Sequence, residues 1–116
     1  MRHLKMFNVE TAGDIVILQP RGEGGGFRYQ DLHSEVSSVR TFLFQPGHKH
    51  LVVDLGQMDY FGSEFVGALI SMLRETKTRG GKACFCSAMP QMLEVLANMS
   101  LTKLWPHYDS REVALA

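Results

Sequence analysis

Apolar residues in this chain form short continuous runs that alternate with longer stretches in which they recur every three or four positions. Continuous apolar runs predict buried strands, whereas the wider spacing predicts amphipathic helices. The predicted strands cover residues 6–10, 15–18, 51–55 and 82–87, with a short edge strand within 104–108. A turn-like cluster that contains Gly13 and Asp14 joins the first two, so we expect them to pair as a hairpin.

Four helices are predicted where the apolar residues change to the helical period. They begin near Tyr29, near Ser63, at Pro90 and at Arg111. A Pro-Gly pair ends the first and a Gly-Gly pair ends the second. Because strands that alternate with helices are joined by right-handed crossovers, the sequence predicts an α/β fold. We expect a mixed, mostly parallel central sheet of four or five strands with four helices, opened by the N-terminal hairpin.

Length and charge narrow the class of protein. The 116 residues predict a single domain, residues 1–116, with 45% hydrophobic residues to form its core. Twelve basic and twelve acidic residues give a net charge of zero, so the basic surface typical of nucleic-acid binding is missing. No secretory signal and no apolar run of about 18 residues is present, which predicts a cytoplasmic protein without a membrane partner. Near-neutral charge leaves a homodimer or a larger assembly open.

The residues that could carry chemistry do not form a recognisable catalytic or metal-binding set. Cys84 and Cys86 lie two apart in an apolar run, which favours reduced core cysteines over a disulfide or a zinc site. Asp54 ends a predicted strand, where ligands bind in open α/β sheets, but it has no second acid or histidine at a matching spacing. We therefore expect a structural Asp54, no metal or cofactor, and no enzymatic activity.

Residues 51–69 combine a buried strand ending in Asp-Leu, a loop with an aromatic pair, and a serine that opens an amphipathic helix. This segment, LVVDLGQMDYFGSEFVGAL, resembles the STAS domain, the fold of bacterial anti-sigma factor antagonists. The family's loop pattern of a hydrophobic residue followed by Asp-Ser-Ser-Gly-Leu-Gly falls on residues 61–67. The resemblance extends through the later helices and strands from residue 49 onward, whereas the N-terminal third fits by element order alone.

The resemblance implies a regulatory domain in bacterial signal transduction and transcription regulation that is switched by phosphorylation of Ser63. In this family the unphosphorylated domain docks on a protein partner, often a serine kinase that also holds a sigma factor, and phosphorylation breaks the complex. A helix N-terminus suits an added phosphate because its backbone N–H groups are unpaired and its dipole favours an anion. The candidate partner-binding residues are Asp59, Tyr60, Gly62, Ser63, Glu64 and Phe65.

The chain departs from the family pattern around this serine. Gly62 replaces the acidic residue, Glu64 replaces a second serine, and Phe65 replaces a glycine. We hypothesise that Glu64 alters the switch or supplies part of the charge that a phosphate would bring. Ser63 also fits a plain helix N-cap, since serine is a preferred cap whatever the function. Phe65 fits either a core position or an exposed contact.

The glycine run of residues 22–26 follows a strand and precedes a helix, as phosphate-binding loops do. It lacks the glycine spacing and the Lys-Ser/Thr pair of known nucleotide loops, so a flexible connection is favoured. Gly24, Gly25 and Gly26 are expected near the sheet edge that carries Ser63. Two further functions stay open: a small nucleotide- or ligand-binding α/β module that uses this loop, and a non-switching STAS scaffold subunit of a larger signalling assembly.

Overall fold

Apart from one additional short helix, the strands and helices follow one another in the order that the sequence predicts. The structure, a computed structural model, describes residues 7–20, 29–56 and 63–115, with the backbone alone at 29–33 and 63–65. Within these residues the strands are β1 (Phe7–Ala12), β2 (Ile15–Pro20), β3 (His50–Asp54), β4 (Ala83–Cys86) and β5 (His107–Tyr108). The helices are α1 (Tyr29–Leu43), α2 (Ser63–Thr78), α3 (Pro90–Asn98), α4 (Leu101–Leu104) and α5 (Arg111–Leu115).

The strands form one mixed sheet in the order β1-β2-β3-β4-β5. β1 and β2 pair antiparallel as a hairpin, and its turn contains Gly13 at a φ of +64°, a conformation that glycine adopts without strain. Every later pair in the described sheet is parallel, with Val52 opposite both Ile17 and Cys84. The predicted α/β fold with a mixed, mostly parallel sheet is therefore confirmed.

The two faces of the sheet are covered very differently. Because each crossover advances to the next strand with the same hand, the crossover helices collect on one face. There α1 to α4 bury the main core with the inward residues of the strands, among them Leu18, Val53 and Phe85. The opposite face carries a small cluster of Ile17, Val52, Cys84 and Cys86, against which the end of α5 packs.

The segment after α3 differs from the prediction of four helices and an edge strand within residues 104–108. The structure has a fifth, short helix, α4, and the strand contains only His107 and Tyr108. Leu101 and Trp105 are both buried four positions apart, and the backbone N–H of Trp105 donates to the carbonyl of Leu101. A helical turn is therefore the local conformation that brings both apolar side chains to the core. Trp105 completes this packing edge-on to Phe85.

Candidate functional site at the carboxyl edge of the sheet

The candidate site lies where the parallel strands end and α2 begins. Asp54 is the last residue of β3, and Ser63 is the first helical residue of α2, so both belong to the carboxyl edge of the sheet. β2, which precedes the glycine-rich segment, ends at Pro20 on the same edge because it runs parallel to β3. Ligand and partner sites of open α/β sheets occur at this edge.

The predicted site residues are only partly within the described chain. Ser63, Glu64 and Phe65 form the first turn of α2, which confirms the predicted helix start at Ser63. Their side chains are not described, so the capping role of Ser63 and the position of Phe65 stay predictions. The candidates in the preceding loop and in the glycine-rich segment lie outside the described residues: Asp59, Tyr60, Gly62, Gly24, Gly25 and Gly26.

The buried carboxylate of Asp54 binds the backbone at the start of the segment that leads to Ser63. The Asp54 side chain is only 7% exposed, and its Oδ1 accepts a hydrogen bond of 2.9 Å from the backbone N–H of Gly56. Its Oδ2 accepts a hydrogen bond of 2.9 Å from Nε of Arg111 and forms an ion pair with Nη2 of the same side chain, also at 2.9 Å. The remaining Nη1 of Arg111 donates to the carboxylate of Glu10. Asp54 is thus a structural residue, as the sequence favoured.

Arg111 connects three parts of the chain that are far apart in sequence. It lies in the first turn of α5 and joins this helix to the end of β3 and to β1 through Glu10. Burial alone would lower the pKa of the guanidinium, but its hydrogen bonds to Asp54 and Glu10 and their charges outweigh burial and raise that pKa. Arg111 is therefore a charged link between α5, the end of β3 and β1.

Sequence reasoning treated Arg111 only as the beginning of the last helix. No local pattern joins it to Asp54, which lies 57 positions earlier in the chain. The usable signals were the strand alternation, which puts Asp54 on the same sheet face as Val52, and the cap position before the last helix, for which the sequence offers Asp109 or Ser110. Ser110 does cap α5, because its Oγ accepts the backbone N–H of Val113 at 3.3 Å.

The face of α2 that continues from Ser63 is open at Gly67 and half-buried at Ser71. Gly67 and Ser71 follow Ser63 at helical spacing, and a Cβ added at Gly67 would meet no described atom within 4 Å. Beside this stripe, a groove of about 390 Å³ separates α1 from α2. Arg40 bridges the groove through a 3.0 Å hydrogen bond to Ser71 Oγ and an ion pair with Glu75.

The described residues give little support for a metal site, a reactive cysteine or a membrane-spanning helix. Residues 7–20, 29–56 and 63–115 contain no group of histidines, cysteines and acids arranged to hold a metal ion. Cys84 and Cys86 are both free and buried, and burial raises the pKa of each thiol to about 11. Neither is a thiolate near neutral pH. None of the described helices has the length and apolar character needed to cross a bilayer.

The described strands and helices define a small α/β domain with a mixed five-stranded sheet. The model of the STAS domain family matches residues 6–114. The chain therefore belongs to the STAS domain family. A relative in Bordetella bronchiseptica, BtrV, which is named as an anti-sigma factor antagonist, is 27% identical over 70 residues. That match spans 60% of this chain and 60% of the relative, less than two thirds of its length.

Solved structures agree on the fold. The protein TM1081 of Thermotoga maritima superposes with a TM-score of 0.82 at 22% identity, covering 99% of this chain and 90% of that one. SpoIIAA of Bacillus, a cell fate determinant solved in its phosphorylated form, superposes with a TM-score of 0.73 at 19% identity. That superposition covers 94% of this chain and 96% of SpoIIAA. The predicted resemblance to STAS domains is confirmed.

Proposed function

We propose that this STAS domain is an anti-sigma factor antagonist that docks on a serine kinase of the anti-sigma factor class and is released when Ser63 is phosphorylated. The observation that carries the proposal is the position of Ser63 as the first residue of α2, at the carboxyl edge of the sheet. Two comparisons support it: BtrV bears the name of an anti-sigma factor antagonist, and SpoIIAA has a phosphorylated form. As a partner of such a kinase, the domain would act in the bacterial cytoplasm.

The physical basis of the switch is the charge that a phosphate adds to the start of a helix. A phosphoserine carries about −1.5 to −2 charges at neutral pH, which the unpaired N–H groups and dipole of α2 tolerate. A partner packed against the same turn would have to bury that charge, and burying an unpaired charge is strongly unfavourable. Glu64 already brings one negative charge to this turn, so a phosphate on Ser63 would add to a like charge next to it in sequence.

The open stripe on α2 is the proposed continuation of the docking surface. Gly67 is exposed and has no side chain, so a partner element could approach the helix backbone closely at this position, whereas Ser71 is already hydrogen-bonded to Arg40. Arg74 is exposed at the next position of the stripe, and Arg40 lies across the groove. Because Arg40 is already paired with Glu75, Arg74 is the cation that favours an acidic group on the partner, opposite the fourth turn of α2.

Phosphorylation of Ser63 is tested directly with the kinase of the anti-sigma factor class from the same genome. Incubation with that kinase and ATP is expected to add one phosphate, which peptide mass spectrometry should locate on Ser63. A Ser63→Ala variant should gain none, and Ser71→Ala, whose serine lies two turns along α2, should be modified like the wild type. Phosphate on any other residue, or none on Ser63, contradicts the switch.

The two alternative functions have their own tests. A nucleotide-binding module that uses residues 22–26 requires a nucleotide to raise the midpoint of thermal unfolding, because a ligand of the folded state stabilises it. A non-switching scaffold subunit requires an assembly in light scattering and no phosphate on Ser63. In each of these functions, as in the proposed one, the domain works by binding and not by catalysis.

A further inference from the structure

A cavity of about 450 Å³ lies at the amino-terminal edge of the parallel strands, opposite the edge that carries Ser63. Its walls come from the first residues of β2, β3 and β4, the segment before β5 and the end of α5. Most of this lining is apolar, and it includes Ile15, Val52, Cys84, Trp105, Pro106 and Leu115. The volume falls in the range of cavities that hold small organic ligands.

Trp105 contributes an edge of its indole ring to the cavity wall. The residue is 4% exposed, and its Nε1 is buried with no hydrogen-bond partner in the described part of the chain. Because this nitrogen is itself buried, a molecule in the cavity would contact the carbon atoms of the ring and not the N–H group.

The rim of the cavity carries two positively charged side chains. Lys77, in the last turn of α2, and Lys82, just before β4, both line the cavity, and no aspartate or glutamate is among its described lining residues. Neither lysine forms an ion pair with a described residue. His50, the remaining basic residue of the lining, is already engaged: its Nδ1 accepts the backbone N–H of Lys82 at 2.9 Å, and its Nε2 lies 3.6 Å from the Asp14 carboxylate. The rim therefore offers two cations to an anionic group.

The apolar wall is also incompletely covered. Leu104 is 52% exposed and Tyr108 is 36% exposed, and both line the cavity. Ala114 and Leu115 at the end of α5 reach it from the second face of the sheet. An apolar body would cover this surface and leave its charged end beside the two lysines.

We propose that this cavity is a binding site for a small carboxylate with an apolar body, held by Lys77 and Lys82 at the rim and by the apolar walls, to which the indole ring of Trp105 contributes. The site is separate from the docking edge and does not rest on the proposed switch. Charge complementarity favours the carboxylate over a neutral or cationic ligand of the same shape.

Decanoate, kept below its critical micelle concentration, is the test ligand. The chain has a single tryptophan, and it lines the cavity, so its fluorescence reports occupancy directly. We expect a saturable change with a dissociation constant on the order of 0.1–1 mM, the affinity typical of a ligand of this size. Decanol and decyltrimethylammonium should bind about tenfold more weakly, because they lack the anionic group.

Two variants distinguish this site from general apolar adsorption. The double variant Lys77→Met/Lys82→Met should weaken decanoate binding by about tenfold. Lys103→Met, which removes an exposed lysine outside the lining, should not change it. Ala114→Phe should abolish binding by filling the cavity, with the fold checked by circular dichroism. No saturable response, equal affinity for decanol, or full affinity in the double lysine variant would overturn the proposal.

Discussion

Replacing Ser63 by aspartate is expected to weaken binding of the partner kinase by about 100-fold. An aspartate in the first turn of α2 leaves the helix intact, because the dipole favours a negative charge there. At the docked surface the same carboxylate is either buried without a partner or set against a like charge, and this costs a few kcal/mol of binding free energy. A cost of about 2.7 kcal/mol corresponds to a 100-fold higher dissociation constant. Isothermal titration of the variant against the kinase measures the change.

Two control variants decide whether a loss of binding comes from the docking surface. Ser63→Ala should bind like the wild type, since it removes the phosphate acceptor without adding charge. Gly67→Lys should weaken binding as Ser63→Asp does, because it projects a long side chain from the open stripe without meeting any described atom. Gln91→Lys on α3 adds the same charge elsewhere and should have no effect. Equal affinity of Ser63→Asp and wild type would contradict the proposed docking surface.

Replacing Arg111 by methionine is expected to lower the free energy of unfolding by about 3 kcal/mol. The variant keeps much of the side-chain volume but removes the cation that pairs with Asp54. The Asp54 side chain, which is only 7% exposed, would then have the N–H of Gly56 as its one described hydrogen-bond donor. Removing one partner of a buried ion pair costs about 3–5 kcal/mol, and the 25% exposure of Arg111 favours the lower end. Urea unfolding followed by circular dichroism measures the difference.

Variants of Glu10 and Asp54, the two partners of Arg111, are the controls for this loss of stability. Glu10→Gln should cost no more than about 1 kcal/mol, because the Glu10 carboxylate is 48% exposed. Asp54→Asn combined with Arg111→Met should be more stable than Arg111→Met alone, since no buried charge is left unpaired. A loss below about 1 kcal/mol in Arg111→Met would show that the pair contributes little to the fold.

The fold was predictable because its signals are local. Each buried strand is a short apolar run. Glycine and proline residues mark the turn at Gly13 and the ends of α1 and α2. α4 was missed because Leu101 and Trp105 provide only one helical turn, too short for a periodic pattern to show. The unequal covering of the two sheet faces follows from strand order, which no single segment encodes.

The sequence predicted only the part of the site that is formed by residues contiguous in the chain. Ser63 follows a strand, a loop and a turn that are contiguous in sequence, so its place at a helix start could be inferred from the pattern. The Arg111–Asp54 pair and the cavity at the opposite edge arise from residues brought together by the sheet and by α5. Such long-range contacts depend on strand register and helix placement, which periodicity does not specify.

Hydrogen exchange of the complex with the partner kinase tests the docking surface most directly. The central claim is that the kinase covers the carboxyl edge of the sheet and the beginning of α2. On binding, amide exchange should slow in peptides that cover residues 57–71 and stay unchanged in peptides that cover 49–52 and 81–84. Unchanged exchange over 57–71 in a saturated complex, with protection on α3 or at the opposite edge, would contradict the claim.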